Sequence, residues 1–263
     1  MSKKSFKRVS KSWDEFWAEF WRIRLVGSDD AADFKSQQVV DFCWDVLGMK
    51  RGQTVLDLGC GGGYQARYFS ESGAKVHGID ITPVLIKHAK KHLKNHNLEA
   101  TFEVGDMRTF TVPKPFDHVV VLGMSFGFGT DEENAETIHR IFAALKPGGR
   151  LLLTGQHPYG LSNHLGPEWL ECDEGLLLHR AEFDEESCRL GGSWELACPD
   201  GTIIMEGENP EQNGVRCYTV PEIRDLLISA GFKDIEAHGA WYLPAQPLQW
   251  FSMELIISAT KPK

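Results

Sequence analysis

Four glycines in five positions, Gly59, Gly61, Gly62 and Gly63, follow the apolar run Val55-Leu56-Asp57-Leu58 and precede a stretch of helical spacing from Tyr64 to Ser72. A loop so poor in side chains turns tightly and lets a ligand lie against bare backbone amides. The unpaired N–H groups of the helix start aim at the same place. The chemistry this favours is capture of a nucleotide cofactor. A triphosphate cradle is excluded because no Gly-Lys-Ser/Thr follows, and a dinucleotide fingerprint needs its third glycine where Tyr64 stands. Asp57, two residues before the first glycine, agrees with this: a carboxylate pairs with an ammonium or with loop amides but repels a pyrophosphate. Cys60 inside the loop fits as a small side chain better than as a reactive thiol.

Other residues of chemical interest carry an ordinary reading beside a functional one. Asp80 ends the run Lys75-Val76-His77-Gly78-Ile79, and before Thr82-Pro83 it also suits a helix N-cap. Asp106 follows Gly105, a common turn pair. His157, in Thr154-Gly155-Gln156-His157-Pro158, is the candidate general base, because imidazole titrates near neutrality. An orienting donor or a plain strand-end histidine are its alternatives. His88, His92 and His96 recur every four residues, but the interleaved Lys87, Lys90, Lys91 and Lys94 favour a solvated helix face over a metal stripe.

In combination, these motifs resemble the class I S-adenosylmethionine-dependent methyltransferases over roughly 200 residues. The spacing Asp57-x-Gly59-x-Gly61-x-Gly63 is similar to motif I of that family. Lys75–Asp80, Gly105-Asp106-Met107, Phe116–Gly123 and Leu145–Leu153 follow in the family's order. The resemblance implies S-adenosyl-L-methionine as cofactor, held in the loop by Asp57, Gly59, Cys60, Gly61 and Gly63. It further implies Asp80 on the two ribose hydroxyls with Ile81 beside it, Asp106 by the adenine amino group with Met107 near the ring, and Leu122 and Gly123 after the fourth strand. Vicinal hydroxyls are donors that one carboxylate can accept together. The implied reaction is in-line methyl displacement, in which alignment alone can contribute roughly 7 to 11 kcal/mol.

The elements that position these residues alternate. Strand-like runs at 54–58, 75–79, 101–104, 117–122 and 150–154 are separated by helical patterns near 64–72, 83–96 and 131–145, which implies βαβ units with ligands at the carboxyl edge of a mostly parallel sheet. An earlier helix is expected over 34–47. The predicted fold is α/β, Rossmann-like and doubly wound with seven strands, an antiparallel β insertion after the fifth strand and an N-terminal helical lid. The expected division is a flexible basic tail over 1–12, N-terminal helices and cofactor core over 13–157, the insertion over 158–218, and a closing helix and hairpin over 219–263. Strand-like runs at 176–183, 189–197, 202–206 and 214–219 mark the insertion. Trp13, Phe16, Trp17, Phe20 and Trp21 share one helical face that must be buried. Core packing is the default for such a face, and the resemblance adds the lid. Candidate walls of an acceptor pocket are Trp17, Trp21, Ser125, Phe126, Trp169 and Trp241, with Met124 beside them.

Composition narrows the acceptor. A chain of 263 residues with 42% hydrophobic content fits one α/β domain with an added element. A formal net charge of -9 argues against a broad polyanion-binding surface. Neither an Asn/Asp-Pro-Pro-Tyr motif after the fourth strand nor a Pro-Cys pair is present. A small-molecule acceptor is therefore preferred to nucleic acid. The alternatives are a protein or RNA methyltransferase, using the basic tail and insertion, and a non-catalytic S-adenosylmethionine-binding regulator. Six cysteines without a C-x-x-C pair, and no apolar run of about 18 residues, lead us to expect a cytoplasmic protein with reduced thiols and no membrane contact. The insertion offers a surface for a homodimer.

Overall fold

The computed structural model describes residues 7–12, 15–16, 19–20, 29–161, 165–172, 175–207, 214–249, 252 and 254–263, with backbone only for 29–34. In chain order its elements are β1 (Lys7–Lys11), α1 (Asp29–Val46), β2 (Thr54–Leu58), α2 (Tyr64–Glu71), β3 (Lys75–Asp80), α3 (Pro83–Asn95), β4 (Thr101–Val104), β5 (Phe116–Val121), α4 (Asp131–Ala144) and β6 (Leu145–Gln156). They continue with a short helix α5 (Pro158–Leu161), β7 (Pro167–Cys172), β8 (Gly175–Asp184), β9 (Arg189–Ala197), β10 (Thr202–Glu206), β11 (Val215–Arg216), α6 (Val220–Ala230), β12 (Lys233–His238) and β13 (Glu254–Thr260).

Seven strands form the main sheet in the order β12-β13-β6-β5-β2-β3-β4. β6, β5, β2, β3 and β4 run parallel, and β13 and β12 close the sheet antiparallel. Because consecutive side chains of a strand point to opposite faces, each central strand feeds two apolar layers. Leu56, Leu58, Val119, Val121, Leu151 and Leu153 pack with Ile138 and Ile141 of α4 and Ile223 and Leu227 of α6. Val55, Val120, Leu152 and Ile256 pack with Phe42 of α1, Phe69 of α2 and Ile86 and Leu93 of α3. The helices on the first face start on capping boxes, Thr130 with Glu133 and Thr219 with Glu222, each joining side chain to backbone both ways. β2 lies between β3 and β5, the place where the strand order reverses, and its carboxyl end is where such a sheet opens a crevice.

The second sheet runs β1-β10-β9-β8-β7, with β11 also on β9. Its long β8–β9 ladder, from Leu176 opposite Ala197 to Asp184 opposite Arg189, is the expected antiparallel insertion. Two of its strands depart from expectation. β7 is not among the expected strands, although Glu168 and Glu171 lie on it within the expected bounds of the insertion. β1 corrects the flexible tail: Lys7–Lys11 pair in parallel with Thr202–Glu206. Lysine and arginine look solvated in sequence, but they also suit an edge strand, whose outer side must be protected from further pairing. Arg8 Nη1 reaches Glu195 on β9 at 3.4 Å.

Phe16 and Phe20 bury themselves against Leu177 and Leu196 of the insertion, and Phe20 meets Trp194 edge-on at 4.9 Å. The described part of the aromatic stripe is therefore core between the N-terminal segment and the insertion. Trp13, Trp17 and Trp21 lie outside the described residues. Among the described residues no helix is long and apolar enough to cross a membrane.

Candidate cofactor and acceptor site

β2 runs straight into the glycine loop. Gly59, Gly61 and Gly63 take φ of +75°, +52° and +83°, the left-handed region open to glycine at little cost. The amides of Gly59 and Cys60 donate to Ile79 O at 2.7 and 3.1 Å, tying the loop to β3. A Cβ on Gly59 would stand 2.7 Å from Ser125 Cβ and 3.4 Å from Met107 Cε. The loops after β2, β4 and β5 thus converge on one bare backbone position. His88 of α3 supports the loop from behind, its Nδ1 3.0 Å from Gly62 O.

Three acids surround this cradle, each in a different state. Asp57 is 1% exposed, and its Oδ2 has no hydrogen-bond partner among the described residues. Loss of hydration, reinforced by the charge of Asp80, pushes its carboxyl up to about 7. Asp80 Oδ2 accepts from Gly61 N at 2.9 Å and Oδ1 from Thr82 N at 2.8 Å. Burial raises its carboxyl too, against the pull of those two amides. Asp80 therefore joins the loop to the approach of α3 but is not its N-cap, a place held by Thr82, and each oxygen keeps a further lone pair. Asp106 is clamped by Arg108, whose Nε and Nη2 lie 2.9 and 2.7 Å from Oδ2 and whose backbone N lies 2.8 Å from Oδ1. Burial works to raise this carboxyl, but the Arg108 bonds and charge hold it below the usual carboxylate range. Arg108 Nη1 also reaches Glu133 of α4 at 3.3 Å.

His157 follows β6 and is 3% exposed, with Nδ1 3.0 Å from Ser252 O. A carbonyl only accepts, so Nδ1 carries the proton and Nε2 of the neutral ring keeps its lone pair. Tyr159 stands edge-on to the ring at 5.4 Å.

The remaining expected residues divide. Ile81 is 56% exposed at the end of β3, an apolar side chain without cover. Leu122 is buried, and Gly123 turns at φ +64°. Ser125 is brought against Gly59, with Oγ donating to Leu122 O at 2.8 Å. Phe126 is not a pocket wall: it is 1% exposed in the core and packs on Tyr218 at 5.7 Å, because the chain turns inward there toward α4. Trp169 is 70% exposed on β7, the last strand of the second sheet, and is not gathered with the cradle. Trp241 packs edge-on to Phe42 at 5.3 Å and donates through Nε1 to Glu254, beyond the end of β6. Trp17 and Trp21 lie outside the described residues. Sequence reasoning missed Arg108, His88 and Thr154, the last fully buried on β6 with Oγ1 3.0 Å from Met124 N. An arginine two places after Asp106 was a usable signal, whereas a threonine in a strand is ordinary.

A parallel sheet with its strand order reversed at a glycine loop defines a Rossmann-like nucleotide-cofactor domain. Residues 55–149 match the family described as a methyltransferase domain. The chain is 31% identical over 112 residues to the uncharacterized methyltransferase YdaC of Bacillus subtilis, an overlap of 42% of this chain and 60% of that protein's length. Its fold matches the CcbJ methyltransferase from Streptomyces caelestis with a TM-score of 0.72 at 18% identity, over 87% of this chain and 90% of that one. It also matches S-adenosylmethionine-bound CalS10, an amino pentose methyltransferase from Micromonospora echinaspora involved in calicheamicin biosynthesis, with a TM-score of 0.65 at 21% identity over 94% and 96%. The chain thus shares the fold of these methyltransferases and carries a methyltransferase-domain match over residues 55–149, and it spans 60% or less of the length of the curated relatives it matches.

Proposed function

We propose that this protein transfers the methyl group of S-adenosylmethionine to a small-molecule acceptor. The observation that carries the reading is the buried Oδ2 of Asp57, unpartnered among the described residues, beside a cradle in which a Cβ on Gly59 would collide with Ser125. A dry carboxylate without a partner suits an ammonium, and a bare backbone suits a ligand that must lie against it. When bound, the cofactor supplies a methyl already activated by its sulfonium. Asp57 and Asp80 give the cradle negative charge. Asp80 keeps lone pairs for the two ribose hydroxyls, and Asp106, held ionised by Arg108, accepts from the adenine amino group. Gly59, Cys60, Gly61 and Gly63 line the cradle. Ile81, Met107, Leu122 and Gly123 line it on the apolar side.

Orientation carries most of the rate. His157 serves as base where the acceptor must lose a proton, which would pass to Nε2 while Ser252 O fixes the ring. Ser125 faces the acceptor side, and Trp241 with Glu254 bounds it beyond β6. The protein or RNA alternative loses its mobile tail at Lys7–Lys11, which form a fixed strand, while the exposed Lys7 and Arg8 keep their charge on its surface. Exposed Trp169 and Leu170 on β7 support self-association through the insertion over 158–218, which sedimentation at micromolar concentration tests. Six free cysteines support a reducing, cytoplasmic setting.

Calorimetric titration with S-adenosylmethionine, S-adenosylhomocysteine and NAD tests the cofactor reading: binding of the first two is expected, and tight binding of NAD alone would overturn it. Labelled methyl transfer into a metabolite extract, set against RNA and protein extracts, tests the acceptor class. Tight cofactor binding with no transfer to any of the three would favour the non-catalytic regulator.

A further inference from the structure

The turn after β5 is built against its own sequence preference. Gly123 and Met124 take consecutive left-handed conformations, φ +64° and +60°, and Ser125 N closes on Leu122 O at 3.4 Å. Two such residues in a row form the centre of a mirror-image turn, where glycine and asparagine are the usual occupants. Glycine fits the first place, but methionine is a poor choice for the second. A bulky residue kept in this region marks a segment whose surroundings over-determine it.

Within the turn Ser125 Oγ donates to Leu122 O at 2.8 Å, and one hydroxyl ties the turn to the neighbouring strand. Thr154 Oγ1, on the neighbouring strand β6 and fully buried, accepts from Met124 N at 3.0 Å and donates to Val121 O at 3.2 Å. It thereby holds both the last residue of β5 and the strained residue of the turn. Ser125, the next residue, has its Cβ and Oγ 2.7 and 2.8 Å from where a Cβ of Gly59 would be. The position of the Ser125 wall relative to the glycine loop therefore depends on how the Met124 amide is held. A relaxed turn would move that wall at the point where the cradle has no spare room.

We propose that Thr154 is a positioning residue of the methyl-transfer site: without touching any reactant, its hydroxyl locks the Gly123–Met124–Ser125 turn and so sets the gap between the loops after β2 and β5. This rests on the cofactor reading above, but its structural half does not.

Hydrogen exchange on the wild-type protein tests that half directly. The Met124 amide is expected to be protected like a strand amide although it lies in a turn, and exchange as fast as an open loop overturns the proposal. Thr154→Val removes the hydroxyl at constant shape, whereas Thr154→Ser keeps it. Thr154→Val is expected to speed exchange at Met124 and Ser125 on the order of tenfold and to weaken S-adenosylhomocysteine binding by a similar factor. Thr154→Ser should restore both nearly to wild type. Equal impairment in the two variants would assign Thr154 to packing alone and overturn the proposal. If the wild type binds no S-adenosylhomocysteine, the cofactor reading fails, while exchange still decides whether Thr154 holds the turn.

Discussion

Replacing Asp57 by Asn should stabilise the free protein at alkaline pH and cripple its cofactor binding. The carboxyl rises from 3.8 to about 7 because it is buried without a bonded partner for Oδ2 and lies near Asp80. In the unfolded chain it titrates near its ordinary value, so between pH 4 and 7 the native state holds a proton that the unfolded state lacks. Stability therefore falls as pH rises through this window, and above it the full cost of a dry charge is present. At about 1.36 kcal/mol per pKa unit, that cost is on the order of 4 kcal/mol. Urea unfolding of wild type and Asp57→Asn at pH 4, 6 and 8 measures it: the variant should gain on the wild type as pH rises, with the difference vanishing near pH 4. A gap independent of pH, or a variant less stable at pH 8, would refute the reasoning. Binding should run the opposite way. If an ammonium requires ionised Asp57, the wild type binds S-adenosylhomocysteine about tenfold more weakly at pH 6 than at pH 8. Binding near pH 7 should also release a proton, read as a buffer-dependent calorimetric enthalpy.

Gly59→Ala forces a Cβ toward Ser125 in a left-handed conformation, so we expect a loss of roughly 1–3 kcal/mol in stability together with loss of S-adenosylhomocysteine binding by calorimetry. Intact binding would show that the cradle opens more readily than its geometry implies. His157→Ala should lower kcat roughly 10²–10⁴-fold on an acceptor that loses a proton, with S-adenosylhomocysteine affinity within about twofold of wild type; an unchanged kcat removes His157 from the proton path. Deleting residues 1–11 strips β10 of its parallel partner, and amide exchange across Thr202–Glu206 should accelerate while β2 and β5 keep their protection.

The parallel core was readable because its signals are local. Apolar runs such as Val119–Val121, Pro83 at a helix start and glycine where β2 turns into α2 each state their conformation within a few residues. The second sheet was readable where its strands carry apolar or alternating runs, as in β8 and β9, and less so at the acidic β7. β1 escaped because its partner lies far along the chain and its lysines imitate a solvated tail. At the site, residue type revealed the acids and the loop but not their bonding states. Nothing local tells that Asp57 lacks a partner whereas Asp106 is clamped by Arg108. Phe126 and Trp169 were misread for a related reason: an aromatic residue after a strand suits a pocket, a core or a surface equally, and only the path of the chain decides. Thr154 was invisible because its importance lies in the methionine it holds across the sheet.

The pairing of β1 with β10 also sets a timetable for synthesis. Lys7 leaves the ribosome roughly 195 residues before Thr202, a wait of about 10 to 40 s at 5–20 residues per second. Through that interval the first strand has no neighbour to bond, and the positive charges of Lys7, Arg8 and Lys11 keep it from joining the wrong one.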